Sequence, residues 1–282
     1  MSITPQREPI MPKIRAETIV RMLKKGERVD NRGLHDYRNI SVSVGIISKA
    51  EGSALVKLGG TQVIAGVKAE LGTPFEDRPN EGVLQVHAEF VPLASPSFEP
   101  GPPNEDAIEV ARVIDRSLRE PKVVDLSKLV IQPGRLAWVI YDDIYVIDHD
   151  GNILDTGMIA SMIALATSRL PRLDTTVEGF KVVYGTKDTP LPINTLVTTV
   201  TMGVLGDILI VDPSLEEESV IDTFLSISVD EKGRIVGLQK RGPRSITPRT
   251  LDSAVEIALK AGEQVLSFIR RVISNPQEYT KW

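Results

Sequence analysis

Gly52-Ser-Ala-Leu-Val-Lys-Leu-Gly-Gly-Thr-Gln-Val-Ile-Ala65 is the stretch on which the reading of the fold turns. Residues 53–58 and 62–70 are apolar, β-branched runs on either side of Gly59-Gly60-Thr61, which is the turn chemistry of a tight hairpin. Upstream, Ile40, Val42, Val44 and Ile46 alternate with Ser41, Ser43 and Gly45. Downstream, Leu84, Val86, Ala88 and Phe90 alternate with Gln85, His87 and Glu89. Period two over several short runs predicts a mostly antiparallel sheet with one solvated face.

Further out, the pattern changes. A helix is expected from about Pro12, with Ile19, Met22 and Leu23 on one side and Gly26 to end it. Residues 28–38 read as polar and turn-like, and residues 1–11 as a flexible arm. After the Pro- and Gly-rich loop 92–104, a second helix spans 105–120, stopped by Pro121. The long run 136–147 is an aromatic and β-branched strand. Residues 156–170 form a helix apolar almost all round (Met158, Ile159, Met162, Ile163, Leu165), so it belongs inside a core. The last third repeats the plan of the first: strands at 195–202, 207–211, 224–229 and 235–239, then a helix opened by Thr247-Pro248 and running to about Ile273. The expectation is one α+β domain over 12–275. Its two pseudo-repeated sheet-and-helix halves, about 28–121 and 190–275, are joined by a buried strand-helix segment.

Composition narrows the function. Of 282 residues, 41% are hydrophobic and 25% charged, an ordinary globular balance. No apolar run approaches the ~20 residues of a membrane span, and Met1–Pro12 lacks the apolar core of a signal peptide. A cytoplasmic protein is expected. The absence of cysteine removes disulfides, thiolate metal sites and a cysteine nucleophile. A net charge of −5 argues against bulk electrostatic attraction to nucleic acid, so any such contact needs a local basic cluster. His35, His87 and His149 have no ligand spacing and read as surface or strand-edge residues. Glu216, Glu217 and Glu218 read as a solvated acidic turn, and no metal site is assigned.

The basic cluster is on the second helix. Arg112, Arg116 and Arg119 lie within about 60° of one another at 100° per residue. They stand opposite an apolar stripe of Ala107, Ala111, Ile114 and Leu118. Arg112 and Arg116 are a like-charge i, i+4 pair, unfavourable by roughly 0.2–0.5 kcal/mol unless an anion bridges them. The same residues allow a plainer reading, in which Glu109, Asp115 and Glu120 neutralise the arginines. Arg241 and Arg244 form a second basic spot in a Gly-Pro turn, which reads as solvated.

Several strings, in this order, resemble the RNase PH family: Arg28-Val-Asp-Asn-Arg32 with Arg38, the hairpin 52–65, Phe98-Glu-Pro-Gly-Pro-Pro103 and Ala111-Arg-Val-Ile-Asp-Arg-Ser-Leu-Arg119. The last two are similar to the non-catalytic ring subunit of the archaeal exosome, and the likeness spans about residues 14–273. It implies an RNase PH-like (ribosomal protein S5 domain 2-like) fold. It also implies a hexameric trimer of heterodimers with a catalytic RNase PH-like paralogue, RNA-binding cap subunits, and Arg112, Arg116 and Arg119 as contacts to single-stranded RNA. Active relatives hold phosphate with a Gly-Gly-Thr-Arg-like turn and carry two aspartates six residues apart. Here the matching positions are Asp150-Gly-Asn-Ile-Leu154, then Glu218 and Phe224. Leucine cannot bind phosphate and phenylalanine cannot bind a metal. The resemblance therefore implies no catalytic residue in this chain, with phosphate and divalent metal on the catalytic partner. The rival expectations are an active phosphorolytic exoribonuclease, and a ring spacer without RNA contact.

Overall fold

The computed structural model describes residues 11–176 and 179–280. The arm expected over 1–11 lies, apart from Met11, outside them. Helix α1 (Lys13–Lys24) ends two residues before Gly26, whose φ of +80° reverses the chain. Strands β1 (Ile40–Val44), β2 (Gly52–Leu58) and β3 (Thr61–Gly72) follow as an antiparallel meander. The β2–β3 hairpin turns on Gly59-Gly60, with Leu58 paired to Thr61 and Gly59 at φ +58°, as a two-residue hairpin requires. Strand β4 (Val83–Phe90) leads to helix α2 (Glu105–Arg119), capped by the Asn104 side chain, which accepts from the Ala107 amide. The short β5 (Val130–Gln132) and the long β6 (Leu136–Asp148) complete a six-stranded sheet of order β1-β2-β3-β6-β4, with β5 on β6.

The sheet is mostly antiparallel, as expected; among its described pairings only β4 with β6 is parallel. Alternation in a strand is the same in either direction, so periodicity is blind to this. Helix α2 between the two strands supplies the crossover that parallel pairing needs.

Helix α3 (Ile153–Ala166) starts three residues earlier than the sequence suggests, because Asn152, at φ +52°, caps it. It contacts β2, β3 and β6 on one side and strand β11 (Val197–Leu205) on the other. Met158, Ile159, Met162, Ile163 and Leu165 are fully buried. Helix α3 ends at Ala166, four residues short of the expected end at Leu170, and two small antiparallel pairs lie between it and β11; the sequence reading gave 169–170 to the helix and left the other strands of these pairs unassigned. The pairs are β7 (Arg169–Leu170) with β10 (Thr189–Pro190), and the hairpin of β8 (Arg172–Thr176) and β9 (Gly179–Val183). The second sheet is antiparallel, in the order β12-β11-β13-β14. Its other strands are β12 (Ile208–Val211), β13 (Phe224–Asp230) and β14 (Ile235–Arg241). Beyond a single helical turn, α4 (Leu215–Glu218), the chain closes with α5 (Pro248–Ser274) packed on β11 and β13. The α+β layers run sheet, α3, sheet, α5. Among the described residues no helix is long and apolar enough to cross a membrane.

One buried carboxyl sits in the first layer. Asp142 on β6 is fully buried, and among the described residues neither oxygen is within good hydrogen-bond geometry of a partner, the Ser161 hydroxyl giving its charged form only partial help. Burial pushes its pKa up to about 7, so the folded chain holds it protonated at lower pH. The unfolded chain ionises near pH 4, so stability is lost progressively from about pH 4 to pH 7 as the folded group resists ionisation. Asp142→Asn is expected to be more stable than wild type at pH 7.5, by on the order of a few kcal/mol. That gap should close on approaching pH 4. Urea unfolding at the two pH values checks it.

Candidate functional site

Residues 28–38 cross the end of the second sheet and are held there by charge. Arg28 is 1% exposed. Its Nε donates to Glu217 Oε1 at 2.8 Å, its Nη1 to the Val211 carbonyl and its Nη2 to the Asp212 carbonyl. Arg38 grips the Asp212 carboxylate bidentately (2.9 and 2.8 Å), and its own amide donates to the same group at 2.8 Å. Arg32 Nη1 and Asn152 Nδ2 add donors at 3.0 and 2.8 Å. Asp212 itself sits at φ +49°, a strained conformation for a non-glycine residue. This knot ties the 28–38 segment, the start of α3 and the 212–218 turn together.

The 28–38 segment is polar and turn-like, as expected, but its Arg28 and Arg38 are buried. One expectation is corrected here: Glu216–Glu218 are not a solvated turn. Glu217 is buried on Arg28, Glu216 accepts from Arg15 through both its oxygens, and Glu218 Oε1 accepts from the Asn152 amide at 2.8 Å. Glu217 also accepts from the Ser214 amide in a capping box that a Ser-x-x-Glu pattern could have signalled, but the arginine and cap partners of the three glutamates lie between 66 and 201 positions away, where pattern does not reach.

Beside the knot opens a cleft of about 840 Å³. Leu154, Glu218 and Phe224 all line it, so three separated sequence positions share one site. Its aromatic wall runs from Phe90 to Phe98 (centroids 5.0 Å apart) and on to His149, stacked on Phe98 at 5.4 Å. His149 is therefore a half-buried lining residue, not a surface one, and burial lowers its pKa. Arg241 lies over the Phe224 ring at 4.8 Å and lines the cleft, whereas Arg244 is paired to Asp222. Asp106, Glu109, Glu216, Glu218 and Asp222 outnumber Arg15 and Arg241 in the lining. Burial raises Glu218 to about 6. It also raises Asp155, which accepts from Thr201, Asn152 and Tyr37, to about 6. Among the described residues no three acidic or histidine side chains converge as a metal site would need.

The three arginines of α2 divide. Arg112 and Arg116 are exposed, and among the described residues neither forms an ion pair or hydrogen bond through its side chain. Arg119 is half-buried and committed: it donates to Asp115 at 2.6 and 3.2 Å and to the Leu84 carbonyl at 2.9 Å. The neutralisation that the sequence left open thus applies to Arg119. Glu109 instead accepts from Gln239 across the α2–β14 contact.

The sequence matches the 3′ exoribonuclease family, its domain 1 over residues 36–171 and its domain 2 over residues 195–261. It is 52% identical to the exosome complex component Rrp42 of Aeropyrum pernix, covering 97% of this chain and 99% of that protein. It is 45% identical to the protein of the same name from Pyrococcus abyssi, covering 95% and 98%. Among solved structures it resembles a chain of the Archaeoglobus fulgidus exosome with RNA bound to the active site. The TM-score is 0.84 and the identity 41%, with 90% of this chain and 97% of that one covered.

The Asp212 knot carries a stability prediction. Removing one partner of a buried charged pair costs about 3–5 kcal/mol, because the remaining charges lose their compensation. Asp212→Asn, which keeps the shape and removes the charge, is expected to lose that amount in urea unfolding at pH 7. Glu216→Gln, whose ion pair with Arg15 is solvent-exposed, is expected to leave the urea midpoint nearly unchanged.

Proposed function

The chain belongs to the RNase PH family of 3′ exoribonucleases, and on that premise we propose that it is a non-catalytic exosome ring subunit that grips RNA for a catalytic paralogue. In this reading it alternates with the paralogue in a hexameric trimer of heterodimers in the cytoplasm, beneath RNA-binding cap subunits. Phosphate and divalent metal belong to the paralogue, and this chain helps to shape the paralogue's active site. The observation that carries the RNA contact is the pair Arg112 and Arg116. Both are exposed on one helix face, mutually repulsive and without a carboxylate partner. Two unneutralised guanidinium groups one turn apart match successive phosphates of a single strand. Arg119 is proposed to contribute less, since Asp115 and the Leu84 carbonyl already hold it.

Catalytic silence is supported by the cleft. Leu154 offers no oxyanion donor through its side chain, and the face of Phe224 is covered by Arg241. An excess of carboxylates opposes entry of a phosphate. The chain purified alone is expected to release no nucleoside diphosphate from poly(A) with phosphate and magnesium. Activity that Glu218→Gln abolished would overturn this.

The RNA contact is tested in the assembled ring. Arg112→Glu with Arg116→Glu is expected to weaken every homopolymer about equally, because phosphate contacts carry no sequence information. The logarithmic salt slope should flatten by about 0.7 per lost single-strand contact. The ring should survive, since both side chains stand away from the apolar stripe of α2. An unchanged affinity and slope would favour a spacer role, and loss of the ring would mean that the face is an interface.

A further inference from the structure

The second sheet has two unlike faces. Val200, Met202, Leu225 and Ile227 belong to the apolar core under α5. The residues that alternate with them, Thr199 and Thr201 on β11 and Ser226 and Ser228 on β13, are hydroxylated and buried, on the side of α2 and α3. Thr199 is paired with Ser228 across the ladder, and Thr201 with Ser226. Two chains of hydrogen bonds leave this patch. One ends on α3, where Thr201 Oγ1 donates to Asp155 Oδ1 at 2.7 Å. The other ends on α2. Thr199 Oγ1 lies 2.9 Å from Ser228 Oγ, which lies 2.8 Å from Ser117 Oγ, and Ser117 Oγ donates to the Val113 carbonyl at 2.8 Å.

The direction of this second chain is determined. A hydroxyl has one proton to give, and a carbonyl only accepts. Ser117 gives its proton to Val113, so it accepts from Ser228, and Ser228 accepts from Thr199. The Ser117–Ser228 contact differs in kind from the others that hold α2. Ala107, Ala111, Ile114 and Leu118 are buried by apolar contact, which is non-directional and tolerates sliding. The bonds of Arg119 and Glu109 are only part-buried. The Ser117–Ser228 bond is fully buried and directional, and breaking it leaves a buried donor unanswered. Gly237 on β14 completes the seat, because a Cβ there would stand 3.3 Å from Ser117 Oγ and 3.3 Å from the Ser228 side chain. The chain ends on Ser117 and Val113, which immediately follow Arg116 and Arg112. A slide or rotation of α2 at this seat therefore moves both guanidinium groups together.

We infer that Ser117 is a positioning residue for the RNA grip: the hydroxyl chain Thr199–Ser228–Ser117 fixes α2 on the second sheet where Arg112 and Arg116 meet successive phosphates. Ser117 is buried and touches no RNA; it acts through the two arginines. The inference rests on the proposed RNA contact of that pair, and adds the device that aims it.

The test is steady-state phosphorolysis of poly(A) by the ring assembled with the catalytic paralogue. The rings carry wild-type chain, Ser117→Ala, Ser228→Ala, both serine changes together, or Arg112→Glu with Arg116→Glu. Chemistry belongs to the paralogue, so each serine variant is expected to keep kcat and raise KM, the mark of lost binding rather than lost chemistry. The rise is expected to be about two- to tenfold, one hydrogen bond expressed as affinity. The double serine variant should be no worse than either single, since both break the same bond. A residue that served only the fold would lower the melting temperature or the amount of active ring and leave KM alone. An unchanged KM in the serine variants, beside a raised KM in the arginine variant, overturns the inference and leaves the RNA grip standing. An unchanged KM in the arginine variant removes the grip itself, and the inference falls with it. Should Ser117→Ala fail to assemble, Ser228→Ala leaves α2 unaltered and decides alone: a wild-type KM there overturns the inference.

Discussion

The Asp212 carboxylate is the point on which the molecule depends. It is fully buried and accepts from Arg38, Arg32 and Asn152, and the Arg28–Glu217 pair closes over the adjacent backbone. Burying such charges is unfavourable unless each is paired and its remaining lone pairs are used. The arrangement is therefore nearly all-or-none. The 28–38 segment, the cap of α3 and the 212–218 turn must arrive together or the charges stay in water. That requirement helps fix how the two sheets meet across α3, because it ties the lead-in to β1 and the turn after β12 to the start of that helix.

The same knot shapes the cleft. With the 212–218 turn fixed against Gly151, Glu218 has one place to go, the open end of α3. Leu154 and Phe224 bring apolar surface to the same cavity, and Arg241 lies across the Phe224 ring. The cleft is thus lined by carboxylates, hydrocarbon and a guanidinium stacked on a ring. The chain retains the architecture of a family that acts on RNA 3′ ends while its own cleft presents an excess of negative charge.

Helix α2 shows the reverse economy. Its apolar stripe is buried, one edge is tied to β14 through Glu109 and Gln239, and Arg119 pins it to the β4 backbone. These contacts hold the helix rigid without using Arg112 or Arg116. A rigid helix that keeps two like charges free in water is stabilised when an anion arrives, since the ordering is already done. The proposed RNA grip on α2 and the acidic cleft are therefore separate features of the chain.

Much was legible in the sequence because it is local. Alternation marked β1 and β4, the apolar runs around Gly59-Gly60 marked the β2–β3 hairpin, and the all-round apolar run marked α3 as the core helix. The α2 arginines were placed on one face by spacing alone, and Leu154 and Phe224 stood out by residue type. What pattern could not decide was pairing. Whether β4 runs parallel to β6 leaves no trace in alternation. Arg28, the ionic partner of Glu217, is 189 positions away, and Arg38, which grips Asp212, is 174 away. Whether an arginine is free or spent is likewise not a property of the arginine: Arg119 and Arg116 are the same residue on the same face. Only the nearness of Asp115 and the Leu84 carbonyl separates them. Charge balance is a sum over neighbours in space, and the tertiary structure alone supplies those neighbours.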